Sequence, residues 1–142
     1  MAPPPMPDFS RDLAGALAAA CLDKKAIDIV ILDVRELVTY TDYLVICSGR
    51  SDRQVKAVVE GAARATRDQD PPIRPLHMEG ERSGQWALVD YGDVVLHVFQ
   101  QDQRGFYDLE GLWFDAPRID PETGEVTHIR RPDAAPANLN RG

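Results

Sequence analysis

The stretch Trp86-Ala87-Leu88-Val89-Asp90-Tyr91-Gly92-Asp93-Val94-Val95-Leu96-His97-Val98-Phe99 decides the fold. Two apolar, β-branched runs flank Tyr91-Gly92-Asp93, so residues 86–90 and 94–99 read as the two arms of a hairpin turning at that tripeptide. Upstream, Ala26-Ile27-Asp28-Ile29-Val30-Ile31-Leu32-Asp33 and Tyr43-Leu44-Val45-Ile46-Cys47 are too apolar for strands with one wet face. They read as central strands buried on both sides. A short strand, Leu76-His77-Met78-Glu79, precedes the hairpin. A first helix starts at Ser10, with Leu13, Leu17 and Cys21 repeating every four residues and Lys24 and Lys25 where cations favour a helix C-terminus. The turn Ser48-Gly49-Arg50-Ser51-Asp52 leads into a second helix. There Ser51 and Gln54 form a capping box, and Val55, Val58, Val59, Ala62 and Thr66 make the core-facing stripe. A last helix spans Gly105 to Trp113, with Phe106, Leu109, Leu112 and Trp113 facing inward. The order α-β-β-α-β-β-β-α predicts an α/β (α+β) domain: a mixed sheet of about five strands flanked by helices, without the strict alternation of a Rossmann fold.

The 142 residues suffice for one domain with a core that needs no disulfide or metal. All 11 prolines fall in three clusters, and these punctuate the chain. Pro3, Pro4, Pro5 and Pro7 mark a disordered leader over 1–9, and Pro71, Pro72 and Pro75 an internal break. Pro117, Pro121, Pro132 and Pro136 mark a largely disordered tail over 117–142, which leaves 10–116 as the folded domain. Cys21 and Cys47 sit singly in apolar surroundings and read as buried, reduced thiols. No run reaches the ~18 apolar residues that span a bilayer, and the acidic start lacks a signal peptide's charge, so a cytoplasmic protein is expected. The net charge of -7 argues against a protein whose main partner is a bare phosphate backbone and favours a basic partner.

The chemistry-bearing motifs are thin. The Ser48–Asp52 turn places amides and Arg50 at a helix N-terminus, yet it lacks GxGxxG and the P-loop lysine. Asp90 and Asp93 straddle a turn instead of alternating on one strand, so they need not converge on a metal. His77, His97 and His128 have no ligand spacing; His97, alternating with Val95 and Phe99, is expected half-buried or at a surface. No GxSxG elbow exists. No catalytic residue, metal or cofactor is assigned. The window 79–115 holds eight carboxylates (Glu79, Glu81, Asp90, Asp93, Asp102, Asp108, Glu110, Asp115) against Arg82 and Arg104, with both tryptophans interleaved. That is the composition of a surface for a basic protein, although Trp86 and Trp113 in a core beneath a solvated acidic face would give the same letters.

Several segments resemble the ribosomal silencing factor family (RsfS, or Iojap). They are Leu32-Asp33-Val34-Arg35, Thr41 to Gly49, Ser51-Asp52-Arg53-Gln54-Val55, Glu79-Gly80, Trp86, Val89 to Val95 and His97-Val98. Arg104, Phe106-Tyr107-Asp108-Leu109-Glu110 and Leu112-Trp113 close the match, which runs in order from about residue 12 to 115. The resemblance implies a nucleotidyltransferase-like fold without transferase activity. It implies binding to the large ribosomal subunit through its ribosomal protein fourteen, which blocks joining of the small subunit and represses translation when nutrients run short. Carried over by position, the contact residues are Trp86, Asp90, Tyr91, Asp93, His97, Arg104 and Tyr107, with Trp86 or Tyr91 as the aromatic anchor. Leu109, Leu112 and Trp113 are structural in that reading. A homodimer away from the ribosome and minor ribosomal RNA contacts by Arg130, Arg131 and Arg141 complete the expected partners. The competing readings are a divergent nucleotidyltransferase using Asp90 and Asp93 with the Ser48–Asp52 turn, and an adaptor for large-subunit assembly.

Overall fold

The computed structural model describes residues 8–108, 111 and 115–127. The first helix, α1 (Phe9–Asp23), starts one residue before the expected Ser10, because Asp8 is the better cap: its Oδ1 accepts from the Arg11 amide at 2.9 Å. Ser10 instead donates its hydroxyl to Asp42 Oδ2 at 2.8 Å, tying the helix to the loop between β1 (Ile27–Asp33) and β2 (Tyr43–Gly49). The second helix, α2 (Asp52–Arg67), is capped by Ser51 and buries Val55, Val58, Val59, Ala62 and Thr66, the stripe its spacing predicts. Then come β3 (His77–Glu79), β4 (Trp86–Asp90), β5 (Val94–Gln100) and α3 (Gln101–Tyr107). Two short strands follow, β6 (Arg118–Ile119) and β7 (Val126–Thr127).

These strands form one sheet in the order β3-β4-β5-β2-β1-β6-β7, so it has seven strands where about five are expected. The two extra ones come from the segment after Ala116. Pro117 O accepts from the Asp33 amide and Gly124 O from the Arg11 guanidinium, which holds that segment against β1 and α1. The pairing of β2 with β5 is parallel, and every other pairing is antiparallel. β2 is buried at all seven positions, as expected of a central strand. β1 departs from that expectation: only Ile31 and Leu32 are buried. β6 covers those two residues alone, and the register slips between Ile27 and Val30, where Asp28 takes a φ of 52°. The expected last helix also shifts. It begins at Gln101 directly from β5 and closes at Asp108 in a left-handed conformation, while 109–110 and 112–114 lie outside the described residues.

Alternation along the strands divides the core. One face carries Ile31, Val45, Cys47, Val89, Leu96 and Val98 against α1 and α2, whose Leu13, Leu17, Cys21 and Val58 complete the larger cluster. The other carries Leu32, Leu44, Ile46, Val95 and Phe99, with Ala116 over them. Both cysteines are buried in the first cluster as free thiols, and the neighbouring Cys21 thiol together with burial pushes the Cys47 thiol well above its ordinary range.

The turn from β3 to β4 depends on Gly80, whose φ of 75° suits glycine and whose missing side chain leaves room for the Trp86 carbonyl. A Cβ there would overlap that oxygen. Gly80→Ala is therefore expected to cost about 2 kcal/mol or more in urea unfolding, from backbone strain and displacement of β4 together. The same change at Gly105, where an added Cβ meets nothing, should cost nothing from contact.

Candidate partner-binding site

Alternation on β4 sends Trp86, Leu88 and Asp90 to the face opposite α1 and α2. Register supplies their neighbours: Phe99, His97 and Val95 stand beside them on β5, and Glu79 and His77 beside Leu88 and Asp90 on β3. Trp86 and Leu88 are partly buried, while Glu79 and His77 are exposed and joined by a 2.9 Å contact between His77 Nε2 and Glu79 Oε2. The result is a half-exposed apolar strip near the sheet edge with carboxylates on both sides.

The strip rests on an aromatic stack. The Trp86 indole lies 5.0 Å from the Phe99 ring at 22°, and its Nε1–H donates to His97 Nδ1 at 3.1 Å. Phe99 is fully buried and His97 is 7% exposed, so the histidine is not at the surface as its alternation alone suggests. Burial lowers its pKa to about 4, and accepting from Trp86 places the neutral ring's proton on Nε2. A protonated ring would lose that acceptor. His97 thus holds Trp86 in position from beneath.

The remaining sequence-assigned residues separate. Tyr91 points the other way, into the helix side. It is 8% exposed, and its hydroxyl lies 2.9 Å from Thr66 Oγ1, with burial raising the phenol's pKa. Its side chain therefore does not share the face that carries Trp86. Asp90 Oδ1 accepts from the Gly92 amide at 2.7 Å, shaping the hairpin turn, and Asp93 is exposed in that turn. The Asp93 carbonyl accepts from the Asp42 and Tyr43 amides and so fixes the turn against β2. Arg104 reaches from α3 to donate to Ser48 Oγ at 3.0 Å. Tyr107 ends α3, and its side chain is outside the described residues. Trp86, Asp90 and His97 therefore share one face, Arg104 reaches Ser48 on β2, which stands across Phe99 from Trp86, and Asp93 lies at the turn. The same face also carries Leu88 and Glu79, of which the sequence reading names Glu79 only as one carboxylate of the acidic window and does not single out Leu88. Strand alternation with Trp86 marks Leu88, but Glu79 joins only through the β3–β4 register.

The turn before α2 is closed on itself. The Arg50 amide donates to Gln54 Oε1 at 2.6 Å and the Gln54 amide to Ser51 Oγ at 3.1 Å, while Ser48 Oγ accepts from Arg104. The Arg50 and Gln54 amides thus serve the cap. Among the described residues no three His, Cys, Asp or Glu side chains gather as a metal site, and no helix is long and apolar enough to cross a membrane.

The buried histidine has a thermodynamic signature. Unfolded, it takes a proton near pH 6.5; folded, near pH 4, so the unfolded state binds more protons between these values. Its contribution is constant above pH 6.5 and turns increasingly unfavourable as pH falls to about 4, reaching about 3 kcal/mol. His97→Asn retains an acceptor for Trp86 without titrating. Its urea-unfolding free energy, measured from pH 7.5 to 4, should fall less steeply than that of the wild type, and parallel curves would refute the assignment.

Comparison with known proteins places this arrangement. Residues 7–141 match the family model described as "Ribosomal silencing factor during starvation". A ribosomal silencing factor of Bacillus subtilis is 48% identical over 109 residues, covering 75% of this chain and 89% of that protein. Its counterpart in Halalkalibacterium halodurans is 40% identical over 113 residues, covering 80% and 95%. A crystal structure of a protein from Chromobacterium violaceum superposes with a TM-score of 0.71 at 33% identity, covering 75% of this chain and 88% of that one. With a mixed sheet like that of a solved relative and a family match across nearly its whole length, the chain belongs to the ribosomal silencing factor family.

Proposed function

We propose that this protein binds the large ribosomal subunit through its ribosomal protein fourteen and sterically blocks joining of the small subunit, lowering translation in the cytoplasm without chemistry of its own. The observation that carries this reading is the Trp86–Leu88 strip, half-exposed over a rigid aromatic stack and flanked by Glu79 and Asp90, on a chain of net charge -7. A basic ribosomal protein complements that strip. The indole supplies a preorganised anchor whose rotamer His97 has already fixed, while the carboxylates pair with Lys or Arg and steer encounter. The turn before α2 supports a binding role over nucleotide transfer, since its Arg50 and Gln54 amides serve the helix cap. In the absence of the ribosome the same strip serves self-association, so a homodimer and the ribosome compete for it.

The test is co-sedimentation with purified large subunits, followed by addition of small subunits. Trp86→Ala/Asp90→Lys, with its fold verified by circular dichroism, is expected to bind at least about tenfold more weakly and to lose the block on joining. Tyr91→Phe, altered on the opposite face, should bind like the wild type. Equal binding by the double variant moves the interface elsewhere. Wild-type protein that fails to sediment with large subunits overturns the proposal.

A further inference from the structure

On the opposite side of the sheet from Trp86, a groove runs between α2 and the outer strand β3. Two cavities of about 530 and 420 Å³ share Ala63 and Met78 as lining residues and so form one trough. Its α2 wall is a stripe at helical spacing, Lys56, Val59, Ala63 and Arg67. Its other wall is β3 with the extended segment leading into it, where Ile73 and Met78 pack toward the core and Leu76 is 76% exposed. Because β3 ends the sheet and pairs only with β4, its outer edge carries main-chain groups with no neighbouring strand.

The charges along this trough run against those of the molecule. The larger cavity is lined by Arg67 and Arg74, with no carboxylate among its described lining residues, on a chain of net charge -7. Arg67 makes only a loose 3.8 Å contact with Asp68, both more than half exposed, and Arg74 has no ion pair among the described residues. In the smaller cavity, Lys56 and Arg82 face Glu60 and Glu81, and Glu81 Oε2 is buried without a hydrogen-bond partner among the described residues.

We propose that this groove docks an extended, acidic segment of a partner protein. Its backbone would lie along β3, its aliphatic side chains over Ala63 and Met78, and its carboxylates against Arg67 and Arg74. An apolar floor and a strand edge fit a peptide. A single-stranded nucleic acid would instead call for aromatic stacking surfaces, and the described residues lining the trough include no Phe, Tyr or Trp. The inference does not rest on the ribosomal reading. Met78 packs into the helix-side cluster whereas Trp86 packs into the other, so the trough floor and the Trp86 strip lie on opposite faces of the sheet and meet at β3, where His77 lines the trough.

The experiment is a ¹H–¹⁵N NMR titration of the full chain with the peptide acetyl-DLEVDL-amide, alongside acetyl-KLKVKL-amide and hexauridylic acid. The acidic peptide should shift the amides of Ala63, Arg67, Arg74, Leu76 and Met78 and leave Leu88 and His97 in place. Arg67→Glu/Arg74→Glu changes two exposed residues, and its melting curve checks the fold. It should bind the acidic peptide about tenfold more weakly and gain binding of the basic one. The proposal is overturned by no shifts up to about 1 mM peptide, by shifts confined to the Trp86 face, by unchanged affinity in the variant, or by hexauridylic acid moving the same amides at lower concentration. Loss of ribosome co-sedimentation with intact peptide shifts would count against the ribosomal reading alone.

Discussion

The parallel pairing of β2 with β5 is the constraint from which the rest of the structure follows. Seven residue pairs, from Tyr43 opposite Val94 to Gly49 opposite Gln100, join two strands buried at nearly every position. A fully buried Val or Leu contributes about 1.5–3 kcal/mol, so neither face of this ribbon can be left to water. The larger cluster with α1 and α2 covers one face, and the aromatic stack and Ala116 help cover the other. A parallel pair also cannot be joined by a tight turn. The connection from Gly49 to Val94 is long enough to hold α2, β3 and β4, and it lays β4 beside β5 on its return.

That return places the partly buried strip of β4 near the edge of the sheet. β4 has β5 on one side and only the three-residue β3 on the other, so its outward side chains are sheltered unevenly. Phe99 on β5 is completely buried, whereas Trp86, its direct cross-strand partner, is not. A large aromatic in such a position loses rotamer freedom on binding unless it is held beforehand. The bond to neutral His97 holds it, and this gives a buried polar group in an apolar cluster a physical role.

Much of this was legible in the letters, for identifiable reasons. β-Branched runs and the Tyr91-Gly92-Asp93 turn announce the hairpin, and the α2 stripe from Val55 to Thr66 is buried as its spacing requires. β6 and β7 escaped because two-residue strands have no periodicity, and the prolines at 117 and 121 suggested a tail. The N-terminal half of β1 was misjudged because burial depends on which strand lies alongside, and β6 reaches only Ile31 and Leu32. Tyr91 was assigned to the surface for the same reason: a residue in a turn can face either layer, and the bond to Thr66 turns it inward. Composition marks the acidic aromatic window and the resemblance singles out Trp86 and Asp90 in it, but only register places Glu79 and Leu88 beside them.

The long excursion between the two central strands also sets an order of events in time. A ribosome delivers α1, β1, β2 and α2 well before the strand that must lie against β2. Throughout that interval the nascent chain carries a seven-residue apolar strand with one edge unmatched, since β1 pairs only with its other side. Contacts between residues so far apart in the chain form slowly, because loop closure precedes any gain from burial. From the emergence of residue 49 until that of residue 100, that edge of β2 stays open to pairing with another chain, and β5 is the strand that closes it.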